Sequence, residues 1–175
     1  MARDNRVVDI DRRRGPSSAP PLSDIRIEAQ VIGAVLEDNK AFRHCAGLPS
    51  DAFTDDVHKE IWSEICRMLE ASRKATPASL AATFSPDQME AIGGRDMLAS
   101  LVREGRALNG ELDASVTRLR DLTIWRRLDA IQGDLTAWIG RRDMSANEAV
   151  SALLRETESI VQTGHAGART KKEVA

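Results

Sequence analysis

The chain has 175 residues, enough for one domain with a sizeable core, and only 3% of them are aromatic whereas 30% are charged. No apolar run reaches the roughly 20 residues that a membrane span requires, and the charged start lacks the apolar stretch of a secretory signal. Because Ala, Arg and Leu are among the most frequent residues, the composition predicts an all-α protein. From the missing span and signal we expect a cytoplasmic protein that does not bind a membrane.

The net charge of −2 is unevenly distributed along the chain. Residues 1–22 and residues 164–175 each carry +2, so residues 23–163 carry about −6. Binding to nucleic acid relies on clustered Lys and Arg, and stacking of single-stranded bases relies on aromatic side chains. The central part of the chain has neither feature in excess, and we expect it to bind mainly protein.

Residues 1–22 end in a Pro/Ser-rich stretch and are predicted to form a disordered arm. Its arginines could contact nucleic acid, but a solvated tail is the favoured interpretation. Residues 23–108 are predicted to form a globular helical domain. Apolar residues at helical spacing place its helices at 25–36, 39–47, 57–69, 77–84, 86–92 and 95–104.

Local signals define several of these helix ends. Thr76 and Ser85 are each followed by a proline at the first helical position, and Gln88 completes a capping box with Ser85. The pair Gly93-Gly94 is expected to stop the helix that begins after Ser85. The buried face of the first helix is predicted to comprise Ile25, Ala29, Ile32 and Leu36.

Residues 109–163 are predicted to form a long antiparallel helical hairpin. One helix runs from Glu111 to Ile139, residues 140–144 interrupt it, and a capping box from Ser145 to Glu148 opens the second helix. A lone hairpin buries one face of each helix, so its surplus apolar residues must pack on the globular part or, as we favour, on another subunit. The predicted interface residues are Leu122, Trp125, Leu128, Trp138, Leu154 and Val161.

Residues typical of catalytic or metal sites are scarce. The sequence has no GxxxxGK[ST] loop for a triphosphate, and no His or Cys pair has the spacing of a zinc site. His58 is predicted to be a buried or capping histidine, and Cys45 and Cys66 to be reduced core residues. We predict no catalytic, cofactor-binding or metal-binding residue in this chain.

Four segments of the chain form an ordered series of motifs. They are Pro21 with Ile27–Leu36, Leu48–Phe53 with His58 and Ile61-Trp62, Ile92-Gly93-Gly94 with Leu98 and Leu101, and Leu119–Leu128. In this order the segments resemble the amino-terminal domain and helical hairpin of DnaB-type replicative DNA helicases. The resemblance covers about residues 21–163, and its departures indicate a divergent member: Ala52 separates Asp51 from Phe53, and the chain contains no Tyr.

The resemblance implies a role in DNA replication. In this family the domains pair through their hairpins and form a collar on a hexameric ring, a trimer of dimers, which offers surfaces to primase and in some systems to a helicase loader. ATP, Mg²⁺ and DNA are bound by a following RecA-like motor domain, none of whose residues has a match here. Residues 164–175 are predicted to be a flexible tail at the start of the linker to that motor, and the chain a piece of a longer protein.

Two other functions remain open from the sequence. A stand-alone helical adaptor that regulates a helicase would differ only in lacking the motor. A small DNA-binding protein would use Arg118, Arg120, Arg126 and Arg127, although eight arginines face seven acids across residues 100–145, which is typical of a solvated surface.

Overall fold

The computed structural model describes residues 21–108 and 110–169, with side chains as far as residue 162. Most of the predicted arm and the last six residues of the predicted tail lie outside the described residues. Within the described ranges the fold is all-α, as predicted, and no strand occurs. The helices are α1 (Ile25–Glu37), α2 (Asp56–Glu70), α3 (Pro77–Thr83), α4 (Pro86–Ala91), α5 (Gly94–Arg106), α6 (Leu112–Arg141) and α7 (Ala146–Arg169), and 3₁₀ helices cover Asn39–Cys45 and Ser50–Ala52.

The predicted helix starts are confirmed by their side-chain caps. Thr76 and Ser79 form a reciprocal capping box at α3, and Ser85 and Gln88 form one at α4. Helix α4 ends at the pair Gly93-Gly94, where both residues have the positive φ that glycine adopts without strain. These local hydrogen bonds explain why the sequence alone locates the short helices.

Helix α1 lies at the centre of the body and packs closely on α5. The two backbones touch where Gly33 meets Gly105, because a Cβ on Gly33 would lie 1.8 Å from the Leu101 carbonyl oxygen. Around this contact α1 buries Val31, Ile32, Val35 and Leu36. The predicted inward face was partly wrong, since Ile25 is exposed and Ala29 only half-buried. Ile25 opens the helix, before α1 reaches the body.

Trp62 forms the second centre of the core. Its indole packs in a tilted arrangement against Phe53, with ring centroids 5.0 Å apart, and against Phe42 at 5.9 Å. The indole N–H donates to the Leu48 carbonyl at 3.2 Å, so the buried ring has its one polar group satisfied. The pair of aromatic contacts holds both 3₁₀ segments on α2.

Helix α6 begins inside the globular body and leaves it along its length. Its buried residues are confined to Ser115–Thr123, where the helix contacts α1 and both 3₁₀ helices. The change from body to hairpin therefore falls near Thr123, whereas we predicted it at residue 109. None of the helices described by the structure is both long and apolar enough to cross a membrane.

Candidate functional site

The distal part of α6 forms an antiparallel hairpin with α7. The connection is short, and Ser145 caps α7 by accepting from the Glu148 N–H while the Glu148 carboxylate accepts from the Ser145 N–H at 2.8 Å. The predicted capping box is thus confirmed. Helix α7 continues to Arg169, beyond the hairpin end that we predicted at residue 163. The hairpin is consequently a long two-helix arm attached to the body through α6.

One row of apolar residues on each helix closes the hairpin. On α6, Ile124, Ile131, Leu135 and Trp138 repeat at helical spacing and are half-buried, and α7 supplies a matching half-buried row. The α7 row comprises Ala149, Leu153, Thr157 and Ile160. These two rows account for the contact between the helices, and the large apolar side chains that α7 and the distal part of α6 carry outside them are 38–62% exposed.

A second apolar row on each helix is exposed, and we call the six residues together the apolar face. Trp125 and Ile139 are 58% and 62% exposed, and the three members on α7 are each 56% exposed. Successive residues of a helix are about 100° apart, so the exposed apolar residues of each helix fall within an arc of about 60°. In both helices this arc lies next to the row that closes the hairpin, and the two arcs are on the same side of the hairpin. The apolar face is Trp125, Leu128, Ile139, Val150, Leu154 and Val161.

Four of the predicted interface residues belong to the apolar face, and two do not. Trp125, Leu128, Leu154 and Val161 all have exposed side chains. The prediction for Leu122 was wrong, because this side chain is only 2% exposed on the part of α6 that packs on the body. Trp138 is half-buried between the helices. We missed Ile139 and Val150, although Ile139 lies two heptads after Trp125.

At the tip of the hairpin the apolar face deepens into an open hollow of about 410 Å³. The residues around the hollow are mostly apolar, and a guanidinium stands among them at the connection between the helices. The hollow is lined by Leu135, Trp138, Ile139, Arg142, Met144, Ser145, Ala146, Ala149 and Val150.

The base of the hairpin is fixed to the body by arginines that bind main-chain carbonyls. Arg126 donates to the carbonyl oxygens of Leu22, Asp51 and Ala52 at 2.8–2.9 Å and to the Thr123 hydroxyl at 3.1 Å. Its planar guanidinium can reach several acceptors at once, as an ammonium cannot. Arg126 therefore joins α6 to the chain entering α1 and to the 3₁₀ helix Ser50–Ala52.

Two neighbouring arginines also fix the base of the hairpin, one through a carbonyl and one through a carboxylate. Arg120 donates to the Ala46 carbonyl at 2.9 Å, and Arg127 forms an ion pair with Asp51 at 2.8 Å. Of the four arginines that the DNA-binding alternative requires, only Arg118 has an exposed side chain. The alternative thus depends on guanidinium groups that this chain already uses to hold its own loops, and no observation favours it.

A buried carboxylate lies near the same junction. Glu28 accepts hydrogen bonds from the Thr54 N–H at 2.8 Å, the Thr54 hydroxyl at 2.6 Å and the His58 ring at 3.1 Å. Burial alone opposes ionisation of Glu28, but these bonds and a weaker one from the Asp55 N–H outweigh it and keep its pKa below the ordinary value of 4.5. The hydrogen bond between Glu28 and His58 joins α1 to the start of α2. His58 is buried, as we predicted.

The described residues bring together no group of three or more His, Cys, Asp or Glu side chains suited to a metal ion. Both cysteines are free, with Cys45 fully buried and Cys66 half-buried. Burial raises the pKa of the Cys45 thiol to about 12 and that of Cys66 to about 11. Neither thiol is therefore an activated nucleophile or a ready metal ligand at neutral pH.

Comparisons with known proteins agree with this architecture. Residues 20–116 match the family described as DnaB-like helicase N terminal domain. The chain is 26% identical over 149 residues to the replicative DNA helicase DnaB of Rickettsia felis, and equally to that of Rickettsia conorii. Each alignment covers 84% of this chain and 28% of the relative, so the chain spans little more than a quarter of those proteins.

A solved structure has the same fold. The crystal structure of the N-terminal domain of DnaB helicase from Mycobacterium tuberculosis matches with a TM-score of 0.69 at 18% sequence identity. The match covers 79% of this chain and 99% of that chain.

Proposed function

Because the chain belongs to the family of DnaB-like helicase N-terminal domains, we propose that it is the collar module of a replicative DNA helicase and pairs with a second copy through its hairpin. The observation that carries this proposal is the apolar face, six large side chains exposed on one side of a two-helix arm. Exposed apolar patches of this kind typically mark sites of protein association.

A second copy is the occupant that best fits the shape of this surface. A two-helix layer with one apolar face is half of a four-helix bundle, which forms when two such layers stack. Most homo-oligomers are closed by a two-fold axis, around which the same patch of both subunits meets itself. The apolar face satisfies this requirement, since large apolar side chains stand near both the base and the tip of the hairpin.

Light scattering on the full chain at tens of micromolar tests the pairing. We expect a mass of a dimer or a higher oligomer, and we expect Trp125→Glu or Leu154→Glu to shift it towards the monomer because each buries a charge in an apolar interface. Ser151→Glu is the matched control, as Ser151 is exposed on α7 outside the apolar face. A parent chain that stays monomeric at this concentration contradicts the proposal.

Docking of primase, and in some systems of a helicase loader, is the further part of the proposed function. A paired hairpin would hold two globular bodies in a fixed arrangement and so give a partner a composite surface to bind. The test is sedimentation of the chain with a bacterial primase, comparing the parent with Trp125→Glu. We expect co-sedimentation with the parent and weaker binding by the variant, whereas no co-sedimentation with the parent would refute the docking role.

A further inference from the structure

We infer that α6 has a hinge at Thr123 and that Arg126 is the latch of this hinge, which sets the direction in which the hairpin leaves the body. Opening the latch lets the hairpin swing as a unit while the body stays folded. The inference concerns contacts within one chain, so it goes beyond the proposed pairing and does not depend on it.

Thr123 lies where the packing of α6 on the body ends. It is the last buried residue of the helix, and Trp125, two residues later, is 58% exposed. The Thr123 hydroxyl donates to the Leu119 carbonyl at 2.7 Å, a bond to the preceding turn that often bends a helix. Thr117 and Thr136 form the same kind of bond, but both are exposed and neither is at this boundary. The helix therefore bends most easily at the point where the body stops supporting it.

Polar bonds replace apolar packing just beyond the hinge. The Arg126 guanidinium donates at 2.8 Å to the carbonyl of Leu22, in the segment that enters α1. It donates at 2.9 Å to the carbonyls of Asp51 and Ala52, and at 3.1 Å to the hydroxyl of the hinge residue Thr123. Hydrogen bonds weaken steeply as their angle changes, so four bonds from one rigid plane permit only a narrow range of helix directions.

The main-chain groups that the latch binds belong to a firmly anchored part of the body. Ala52 is completely buried, and Phe53 beside it packs on Trp62 with ring centroids 5.0 Å apart. The next residue, Thr54, donates to the buried Glu28 carboxylate from both its N–H and its hydroxyl. Motion at the junction is therefore motion of α6, and not of the loop to which the latch binds.

The length of the hairpin amplifies any change of angle at the hinge. At about 1.5 Å of rise per residue, Ser151 near the hairpin tip lies about 20 Å from the level of Thr123. A swing of about 15° consequently displaces Ser151 by about 5 Å. The ion pair between Arg127 and Asp51 resists such a swing only weakly, because its carboxylate is 56% exposed and screened by water. The hairpin direction thus depends mainly on Arg126.

Distances between two spin labels on the full chain, measured by double electron–electron resonance, test the latch. One label is attached to the body at Ala99→Cys and the other near the tip at Ser151→Cys, both at exposed positions. A second pair, from Glu70→Cys to the same tip position, observes the swing from another helix. Dilution with excess unlabelled chain restricts the signal to distances within one molecule. We expect narrow distributions with Arg126 present and distributions broadened or shifted by about 5 Å with Arg126→Ala.

Three further substitutions separate a latch from a general loosening of the body. Arg118→Ala is the matched control, because Arg118 is an exposed arginine of the same helix, and it should leave both distributions unchanged. Thr123→Val removes the hinge hydroxyl and should narrow the distributions of the Arg126→Ala chain, to which a loosened body would not respond. Arg126→Lys keeps the charge without the planar fork and should stay broader than the parent. Labelling of the parent gives the background from Cys45 and Cys66.

Distributions that stay narrow in Arg126→Ala overturn the latch, and so do broad distributions in the chain that retains Arg126. Broad Arg126→Ala distributions that Thr123→Val leaves unchanged overturn the position of the hinge. If circular dichroism shows that Arg126→Ala is unfolded, the Arg126→Lys chain takes its place, and narrow distributions there overturn the latch. A parent that light scattering shows to be monomeric contradicts the proposed pairing and leaves these expectations unchanged.

Discussion

The contact between α1 and α5 allows a sharp test of the fold through Gly33→Ala. A Cβ on Gly33 would lie 1.8 Å from the Leu101 carbonyl oxygen and 2.7 Å from the Gly105 nitrogen. Both atoms belong to the backbone of α5, so neither can rotate away as a side chain would. The helices must separate by more than 1 Å, which loosens the packing of the buried residues on both sides of the contact, including Ile32.

The size of the effect follows from two opposing terms. Alanine in place of glycine within a helix contributes about 0.5–1 kcal/mol of stability, whereas overpacking a core costs about 1–3 kcal/mol and more when backbone must move. We therefore expect Gly33→Ala to lower the free energy of unfolding by about 2 kcal/mol and the melting temperature by about 6 °C. Urea unfolding followed by circular dichroism, at a fixed protein concentration, measures this change.

Gly133→Ala is the control in the same chain. Gly133 lies in the exposed part of α6, and a Cβ there would meet no atom within 4 Å. Only the propensity term remains, so this variant should be more stable than the parent by about 0.5–1 kcal/mol. The two substitutions must have opposite signs. Equal gains in stability for both variants would refute the close backbone contact between α1 and α5.

Three further predictions concern the junction and the thiols. Because the pKa of Glu28 is lowered on folding, its contribution to stability is complete above the ordinary value of 4.5 and is lost as the pH falls through the folded-state value. We expect Glu28→Gln to cost about 3 kcal/mol at neutral pH, with the gap to the parent narrowing in acid during urea unfolding; a constant gap would contradict this. Arg126→Ala should cost about 2 kcal/mol in the same assay and Arg126→Lys should restore less than half of it, whereas full restoration would show that the planar fork is not needed. Cys45 should react with a maleimide more slowly than Cys66 in the native chain and at the same rate in urea, and equal native rates would contradict the burial of Cys45.

The sequence predicted those parts of the fold that depend on neighbouring residues. The capping boxes at Thr76 and Ser85, the stop at Gly93-Gly94 and the break after α6 are all determined within a few residues, and each is found within about two residues of the predicted place. The row of exposed residues on α6 was predicted only in part: Trp125 and Leu128 were named, whereas Leu122 is buried and Ile139 was missed.

Contacts between distant segments could not be predicted in this way. Leu122 and Trp125 are three residues apart on one helix, yet the first is buried and the second exposed, since the body ends between them. Nothing in the sequence near Glu28 indicates that Thr54 and His58, 26 and 30 residues later in the chain, form hydrogen bonds with its carboxylate. The arginines of α6 formed a plausible phosphate-binding set in the sequence, and only the loops that fold back to Arg126 show its use as a structural donor.

The exposed area of the apolar face also indicates how strongly two copies should associate. Covering a half-exposed apolar side chain contributes about 1 kcal/mol, so the six residues of each copy give about 12 kcal/mol in total. Association costs about 4–15 kcal/mol, and the low end applies where the surfaces are folded before they meet, as in a helical hairpin. The difference of about 8 kcal/mol corresponds to a dissociation constant in the micromolar range. At that strength one buried Glu is sufficient to abolish pairing at tens of micromolar, so the contrast between Leu154→Glu and Ser151→Glu should be almost complete.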